Sequence, residues 1–173
     1  MKFERQWGMP NSDTFNCKPI GEFVRRYLEE STVSIDPYSR NNLWATYTND
    51  LNPETAALSH LDATDFLCGL ADKGVVADLI IIDPPYSPRQ VKECYDGIGI
   101  KMKQSDALLG AIRGRLKEQI DRLASSDSAV LWFGWNTNGM GKKHGFEIVE
   151  ILLVSHGSDH NDTICFAERR IST

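Results

Sequence analysis

The sequence feature that most constrains the fold is the segment Ala77–Ile82, which ends abruptly at Asp83-Pro84-Pro85-Tyr86. Its apolar and β-branched residues are typical of a strand that is buried on both faces of a parallel sheet. The strand must stop at this point, because proline has no amide hydrogen with which to continue a sheet. The tetrapeptide is therefore expected at the carboxyl end of an interior strand, where open α/β sheets bind their ligands.

Helical and strand patterns alternate along the rest of the chain. They predict an α/β fold with a mostly parallel central sheet and helices on both faces. Helices are expected over residues 19–30, 64–71 and 108–123, and strands over 32–35, 44–48 and 128–133. A turn or short helix is expected at 53–58, and a further strand end at 60–61. The segments 146–155 and 163–170 flank a polar loop and predict an antiparallel C-terminal strand pair.

Length and composition indicate one domain. The 173 residues, of which 41% are hydrophobic, suffice for one real core and are too few for two, so we expect a single domain over residues 1–173. No apolar run approaches the roughly 20 residues that span a bilayer, and residues 1–10 contain no signal-peptide core. We expect an intracellular protein without a membrane partner. The four widely spaced cysteines predict reduced thiols, with neither a disulfide framework nor a metal site.

The charge is acidic overall and locally basic. A net charge of −5, from 19 basic and 24 acidic residues, argues against a protein that coats nucleic acid with its whole surface. Residues 87–122 nevertheless contain eight basic and five acidic side chains. Such a face fits a site that contacts one stretch of phosphate backbone, although an ordinary solvated helix face has the same pattern.

Acidic side chains follow four of the predicted strand ends. They are Asp36, Asp50, Asp62 and Asp83. A single acid in such a position often only caps the next helix. Four of them at the carboxyl ends of strands in one sheet are expected to converge on one site.

The segment Asp83-Pro84-Pro85-Tyr86 has the groups that an exocyclic amine needs in order to act as a nucleophile. The 6-amino nitrogen of adenine is a poor nucleophile, because its lone pair is delocalised into the ring. Two acceptors aimed at its N–H bonds, the Asp83 carboxylate and the Pro84 carbonyl, would localise that lone pair. Pro85 restricts Pro84 to extended geometry, and Tyr86 offers a flat face for stacking a base. A plain turn after a strand is the alternative.

On these residues the chain resembles the DNA adenine amino-methyltransferases, S-adenosylmethionine-dependent enzymes with a Rossmann-like fold and an Asp-Pro-Pro-Tyr catalytic motif. Residues 14–20 resemble the family's N-terminal cofactor-proximal segment, and 35–38 its first-strand loop. Residues 49–50 resemble the acidic end of its second strand, and 60–63 its adenine-contacting turn. The motif order covers nearly the whole chain and is most like small orphan methyltransferases of phages and mobile elements, which implies the host cytoplasm as location.

The resemblance implies S-adenosylmethionine as the cofactor and DNA as the partner. Asp50 would accept hydrogen bonds from the cofactor ribose, Asp62 would accept from its adenine amine, and Asp36 would face its methionine end. The implied cofactor-binding residues are Phe15, Lys18, Asp36, Pro37, Tyr38, Asp50, Leu51, Asp62, Ala63 and Asp83. The implied catalytic residues are Asp83, Pro84, Pro85 and Tyr86, and no metal is implied.

The first loop departs from the family pattern, because residues 36–42 contain no glycine. The stretch between Asp36 and Asp50 is also too short for a strand plus a full covering helix. We expect that helix to be shortened or missing. We also expect Asn41 or Asn42 to adopt the left-handed conformation that a glycine would have taken.

The second departure is the lack of a separate target-recognition domain. We expect the loop from Ser87 to Lys103 to contact the nucleic acid, with phosphates bound by Arg89, Lys92, Lys101 and Lys103. A lid without specificity is the alternative. A homodimer or a partner subunit would be another source of recognition surface.

Two further groups of residues permit two interpretations each. His156 and His160 have a spacing that suits a metal ion, but the glycine and serine between them favour a hairpin loop. Trp132, Phe133 and Trp135 end a predicted strand and either line a base pocket or belong to the core.

Methyl transfer to DNA adenine is the leading functional interpretation. The same chemistry on RNA adenine, and a non-catalytic nucleic-acid-binding subunit, are the alternatives. Cytosine 5-methylation is disfavoured because it needs a cysteine nucleophile, usually after proline, and the chain has no Pro-Cys pair. Relatives that methylate the cytosine 4-amino group usually have serine in place of Asp83.

Overall fold

A computed structural model describes residues 1–101, 109–157 and 160–171, and the side chains of residues 109–112 are not part of that description. The strands are β1 (Lys2–Trp7), β2 (Ser34–Asp36), β3 (Tyr47–Thr48), β4 (Ala77–Ile82), β5 (Ala124–Gly134), β6 (Phe146–Ser155) and β7 (Thr163–Arg170). The helices are α1 (Lys18–Glu29), α2 (Ala63–Asp72), α3 (Pro88–Gly97) and α4 (Leu109–Leu123). Within these ranges, no helix is both long and apolar enough to cross a membrane.

The strands form one sheet in the order β1-β6-β7-β5-β4-β2-β3. Neighbouring strands from β3 through β2 and β4 to β5 are parallel, as are β1 and β6. Strand β7 runs antiparallel to both of its neighbours. The predicted α/β class, with a mostly parallel sheet and an antiparallel C-terminal pair, is confirmed, and β4, β6 and β7 have the predicted bounds.

Helices cover both faces of the sheet, because alternate residues of the central strands point to opposite sides. Leu79 and Ile81 of β4 pack in the core beneath α1, together with Leu131 and Phe133 of β5. The intervening residues of the same strands pack beneath α2 and α4. Helix α1 begins with a proline in its first turn and buries one apolar stripe. This frame fixes the carboxyl end of β4, from which the tetrapeptide emerges.

The structure corrects several expected elements. Strand β1 was not predicted, and the strand expected at 44–48 is limited to Tyr47–Thr48. No strand includes residues 60–61, where a single bridge joins Asn49 to Ser59 instead. The segment from Ser87, expected as a loop, is a helix over Pro88–Gly97, because Ser87 caps it and proline occupies its first turn.

The loop after β2 has no helix, as expected, but its strained residue is not an asparagine. Arg40 has the positive φ of 52°, in place of Asn41 or Asn42. The two asparagines are held in other roles, since Asn41 Oδ1 accepts from Ala56 N and Asn42 Oδ1 accepts from Trp44 N. The conformation of Arg40 is stabilised by its own amide, which donates to Asp50 Oδ2 at 3.1 Å.

Candidate active site

The Asp83-Pro84-Pro85-Tyr86 segment leaves the buried end of β4 and is itself half-buried. The Tyr86 hydroxyl donates a hydrogen bond of 2.6 Å to Asp83 Oδ1. The Tyr86 ring meets the ring of Trp135 edge to face, with 5.8 Å between centroids. The Tyr86 hydroxyl thereby holds the carboxylate through Oδ1.

Desolvation is the main influence on Asp83 and raises the pKa of its carboxyl. Hydrogen bonds from Tyr86 and from the Thr14 hydroxyl act in the opposite direction, and so does the charge of Arg40. Burial also raises the pKa of Tyr86, which therefore stays a hydrogen-bond donor. Thr14 was not among the predicted site residues, although it begins the segment 14–20 that resembles the cofactor-proximal segment.

Asp36 lies at the end of β2 with only 3% of its surface exposed. One of its oxygens accepts from Tyr38 N at 2.9 Å. Burial raises the pKa of Asp36 well above its ordinary value, and the nearby carboxylates of Asp83 and Asp50 raise it further. Three of the four predicted acids therefore converge on one region of the sheet edge.

Asp50 and Asp62 are fixed by the backbone of the loops that hold them. Asp50 accepts from the amides of Arg40 and Asn52, and Asp62 caps α2 by accepting from Thr64 N at 2.9 Å. Asp62 lies close enough to raise the pKa of Tyr38, after burial as the main cause. The carboxylates are thus pre-positioned, although Asp62 also has the helix-cap role that single acids often have.

Asn49 connects these loops by hydrogen bonds, and it was not among the predicted site residues. It is fully buried, and its amide donates to Pro37 O at 3.2 Å and to Leu61 O at 2.9 Å while accepting from Leu61 N. Its position directly before Asp50, at the end of a strand, is the signal that sequence reasoning passed over.

A cavity of about 380 Å³ opens on the other side of Tyr86. It is walled by the two aromatic rings of Tyr86 and Trp135, by the segment before α1, and by the turn between β6 and β7. Its lining residues are Pro10, Asn11, Ser12, Thr14, Cys17, Ile20, Tyr86, Gln90, Trp135, His156, His160, Asn161 and Thr163. Among the described residues that line it there is no aspartate, glutamate, lysine or arginine, and such a lining suits an uncharged polar ring.

The other predicted cofactor residues lie in different surroundings. Phe15 is buried against Phe133, with ring centroids 5.3 Å apart, and Pro37 is buried in the loop after β2. Tyr38, Leu51 and Ala63 are half-buried near the acids of the same loops. Lys18 is different, since it is on the surface of α1 with 86% of its side chain exposed, 3.9 Å from Glu22.

The predicted phosphate-binding residues are on or near α3. Arg89 pairs with Glu93 at 2.8 Å, and Lys92 pairs with Asp96. Lys101 is exposed, and Lys103 lies outside the described residues. Each of the two helix cations has an acidic partner one turn later, so α3 has no net charge and its cations are partly neutralised.

The structure shows the surroundings of the two groups of residues that permitted two interpretations each, the histidines and the aromatic residues at the end of β5. His156 is a structural link, with its ring nitrogens 2.8 Å from Gly8 O and Thr163 Oγ1. No group of three metal-binding side chains occurs among the described residues. Trp132 and Phe133 are core residues, whereas Trp135 is 41% exposed and lines the cavity. All four cysteines are free thiols.

Comparison with solved structures identifies the architecture. The chain is similar to a putative methyltransferase complexed with SAH, with a TM-score of 0.57 and 14% identity over 85% of this chain and 48% of that one. This chain has a methyltransferase fold. It is also similar to TrmN from Thermus thermophilus, with a TM-score of 0.56 and 13% identity over 90% of this chain and 49% of the other. A third similar structure is the putative methyltransferase yhhF from Escherichia coli, with a TM-score of 0.52 and 9% identity over 96% and 92% of the two chains.

The chain spans about half the length of the first two of these structures. No protein-family model matches the sequence, and no curated protein matches it. The similarity is therefore one of fold.

Proposed function

We propose that this chain transfers a methyl group from S-adenosylmethionine to the exocyclic 6-amino group of adenine in DNA. The observation that carries the proposal is the position of Asp83 and Tyr86. They lie between the acidic side chains of Asp36 and Asp50 and the cavity of about 380 Å³, whose described lining includes no aspartate, glutamate, lysine or arginine. A group-transfer enzyme needs a donor site and an acceptor site that meet at the reacting atoms. The methyltransferase fold supports this division, since the acids lie at the carboxyl ends of the strands where such folds bind ligands.

The acidic side fits S-adenosylmethionine as cofactor. Asp36 and Asp83 are partly desolvated carboxylates that repel each other, so a ligand with positive charge is favoured between them. S-adenosylmethionine has a sulfonium and an ammonium group, and it supplies an electrophilic methyl group when bound. We assign Asp36 to its methionine end, Asp50 to its ribose hydroxyls and Asp62 to its adenine amine. Phe15, Pro37, Tyr38, Leu51 and Ala63 complete this predicted set. The surface position of Lys18 gives its assignment the least support.

The uncharged side fits a neutral nucleobase. The ring of Tyr86 gives the base a face to stack on, and Trp135 stands at a steep angle to it. A base inside a duplex cannot reach such a cavity, so the target must be unpaired or extruded from the stack. We assign the recognition of phosphates to Lys101 and to the cations of α3, with residues 1–173 acting as one domain.

The catalytic step follows from the groups at the junction. The carboxylate of Asp83 and the carbonyl of Pro84 accept the two amine hydrogens, which localises the nitrogen lone pair toward the methyl donor. Bound S-adenosylmethionine would supply the methyl group to this nitrogen, and the amine would then give up one proton. Asp83, whose pKa is raised by burial, is positioned to take that proton.

The test is the substitution Asp83→Ala, assayed by transfer of a labelled methyl group to DNA. We expect a loss on the order of 100- to 1000-fold, because one preorganised electrostatic partner is removed from the reacting centre. Asp127→Ala, which removes an exposed carboxylate at the start of β5, is the matched control and should be active. S-adenosylmethionine binding, measured by calorimetry, should be nearly unchanged in both variants.

The same assay separates the alternatives. DNA and RNA oligonucleotides of the same sequence identify the preferred nucleic acid. A preference for RNA would mean that RNA, and not DNA, is the substrate in the proposal. Failure of the wild-type chain to bind the cofactor would favour a non-catalytic subunit. An Asp83→Ala protein with near-normal turnover would contradict the catalytic assignment.

A further inference from the structure

Gln90, in the first turn of α3, has a side-chain amide that is oriented by the catalytic tetrapeptide. Its Oε1 accepts a hydrogen bond of 2.6 Å from Tyr86 N. A backbone N–H can only donate, so the amide atom that it contacts must be the oxygen. The amide nitrogen Nε2 therefore lies on the other side of the group, and no acceptor pairs with it in the part of the chain that the structure describes.

Gln90 is half-buried and lines the same cavity as Tyr86 and Trp135. A residue with a donor, Gln90, thus lines the cavity, and its amide oxygen is bonded to the last residue of the tetrapeptide that supplies the acceptors. Its position is set by two rigid elements, since the amide oxygen is tied to the Tyr86 backbone and the residue belongs to a helix.

This combination of donor and acceptors matches adenine. The 6-amino group of adenine donates, while the ring nitrogens on either side of it, N1 and N7, accept. Guanine has an acceptor oxygen in place of the amine, which the Asp83 carboxylate would repel, and a donor at N1. A site with acceptors for the amine and a donor for its neighbour therefore discriminates between the two purines.

We propose that Gln90 reads the target base by donating from Nε2 to ring nitrogen N1 or N7 of the adenine whose amine is held by Asp83. This inference rests on the proposed function and adds a residue that determines base specificity. The hydrogen bond between Gln90 and Tyr86 couples the position of the base-reading group to that of the stacking ring.

The substitution Gln90→Glu removes the donor and keeps an oxygen for Tyr86 N, and it also adds a negative charge, so the analogue cycle below is needed to isolate the donor. We expect kcat/KM on adenine-containing DNA to fall by roughly 5- to 150-fold, the range for one good base contact. The melting temperature and the affinity for S-adenosylmethionine should be unchanged. Gln119→Glu on α4, a half-buried glutamine outside the cavity, is the matched control.

Oligonucleotides in which 1-deazaadenine or 7-deazaadenine replaces the target adenine identify the ring nitrogen. With the wild-type protein, kcat/KM on one of the two analogues should be lower than on adenine. The factor should be about the same as the loss that Gln90→Glu causes on adenine. That same analogue should show no further loss with Gln90→Glu, because the contact is already absent. Fully additive losses for both analogues would overturn the proposal.

A purely structural role gives a different result. If Gln90 only holds the tetrapeptide, Gln90→Glu should be close to normal and Gln90→Leu should be impaired, and this outcome also overturns the inference. The same cycle, measured as the binding of a fluorescent single-stranded oligonucleotide, detects base reading without methyl transfer. A chain that shows this coupling but transfers no methyl group would refute the proposed function and retain the inference.

Discussion

The hydrogen bond from Tyr86 to Asp83 leads to a prediction about pH. The substitution Tyr86→Phe removes the hydroxyl and keeps the ring that would stack on the base and meets Trp135. That hydroxyl stabilises the ionised carboxylate, so its loss should raise the pKa of Asp83 above the level that burial already sets. The acid limb of the kcat/KM profile should therefore move to higher pH.

The size of this effect follows from the type of bond. A hydrogen bond to a charged group contributes about 1.5 to 3 kcal/mol, and the lower figure corresponds to about a tenfold change in the proton affinity of Asp83. The Thr14 hydroxyl and Arg40 still oppose protonation in the variant, while Asp13 favours it. Asp36 and the buried thiol of Cys165 also interact with this carboxyl. The lower end of the range is therefore expected.

The assay is methyl transfer to DNA between roughly pH 5 and pH 9, at low substrate concentration so that kcat/KM is measured. The ratio of wild-type to Tyr86→Phe activity should be largest at low pH and should approach a constant at high pH. Thr14→Val should give a smaller shift in the same direction, and Thr14→Ser, which keeps the hydroxyl, should restore the wild-type profile. Parallel profiles for wild type and Tyr86→Phe would refute the reasoning.

Two further predictions concern cofactor binding and stability. Asp50→Ala should weaken S-adenosylmethionine binding about 10- to 150-fold in a calorimetric titration, because a carboxylate bonded to ribose hydroxyls contributes about 1.5 to 3 kcal/mol. Turnover at saturating cofactor should recover, and unchanged affinity would remove Asp50 from the site. Glu150→Gln should lower the free energy of unfolding by about 1 to 3 kcal/mol, measured by denaturant titration, because Glu150 accepts from Arg26 at 2.8 Å and from Tyr27 at 2.9 Å. Burial alone would raise the pKa of Glu150, but these bonds and one from Lys2 hold it below its ordinary value of 4.5. This stability is therefore present above that pH and lost as the pH falls below it, so wild type and variant should converge in acid.

The sequence was sufficient for strand β4, whereas the interior strands β2 and β5, expected over 32–35 and 128–133, are Ser34–Asp36 and Ala124–Gly134. A buried strand such as Ala77–Ile82 is specified by its own apolar residues, and its end is specified by the two prolines that follow. The same holds for β6 and β7, whose bounds were predicted correctly. The convergence of Asp36, Asp50 and Asp83 followed from the rule that parallel strands share a carboxyl edge.

The edges of the fold were not predictable in this way. Strand β1 has the sequence Lys-Phe-Glu-Arg-Gln-Trp, most of which is exposed, and it exists because it pairs with β6, far along the chain. A long-range pairing of this kind leaves no local pattern in the strand. Helix α3 is a different case, because its signal, serine followed by proline, was present but was outweighed by the glycines and charges around it.

Contacts between side chains from different parts of the fold could also not be predicted from the sequence. The tetrapeptide was proposed as the site from its residues, but the hydrogen bond from the Tyr86 hydroxyl to Asp83 depends on a turn geometry that the sequence does not specify. The proximity of Thr14 to the same carboxylate depends on how the segment before α1 packs on the sheet edge. The local charge of residues 87–122 was correct as a count, yet pairing within α3 removes part of its effect.

Tyr86 links the two sides of the proposed site through three separate parts of one residue. Its hydroxyl donates to Asp83, its backbone N–H donates to Gln90, and its ring packs against Trp135. Tyr86→Ala would remove the hydroxyl and the ring together, so its effect could not be assigned to either. Tyr86→Phe removes only the hydroxyl, whereas Gln90→Glu keeps an oxygen for the Tyr86 backbone N–H and replaces the donor Nε2. If the Tyr86 hydroxyl and the Gln90 donor act independently, the losses of these two variants should multiply in the double variant. A smaller combined loss would mean that carboxylate positioning and base reading depend on one shared conformation of the tetrapeptide.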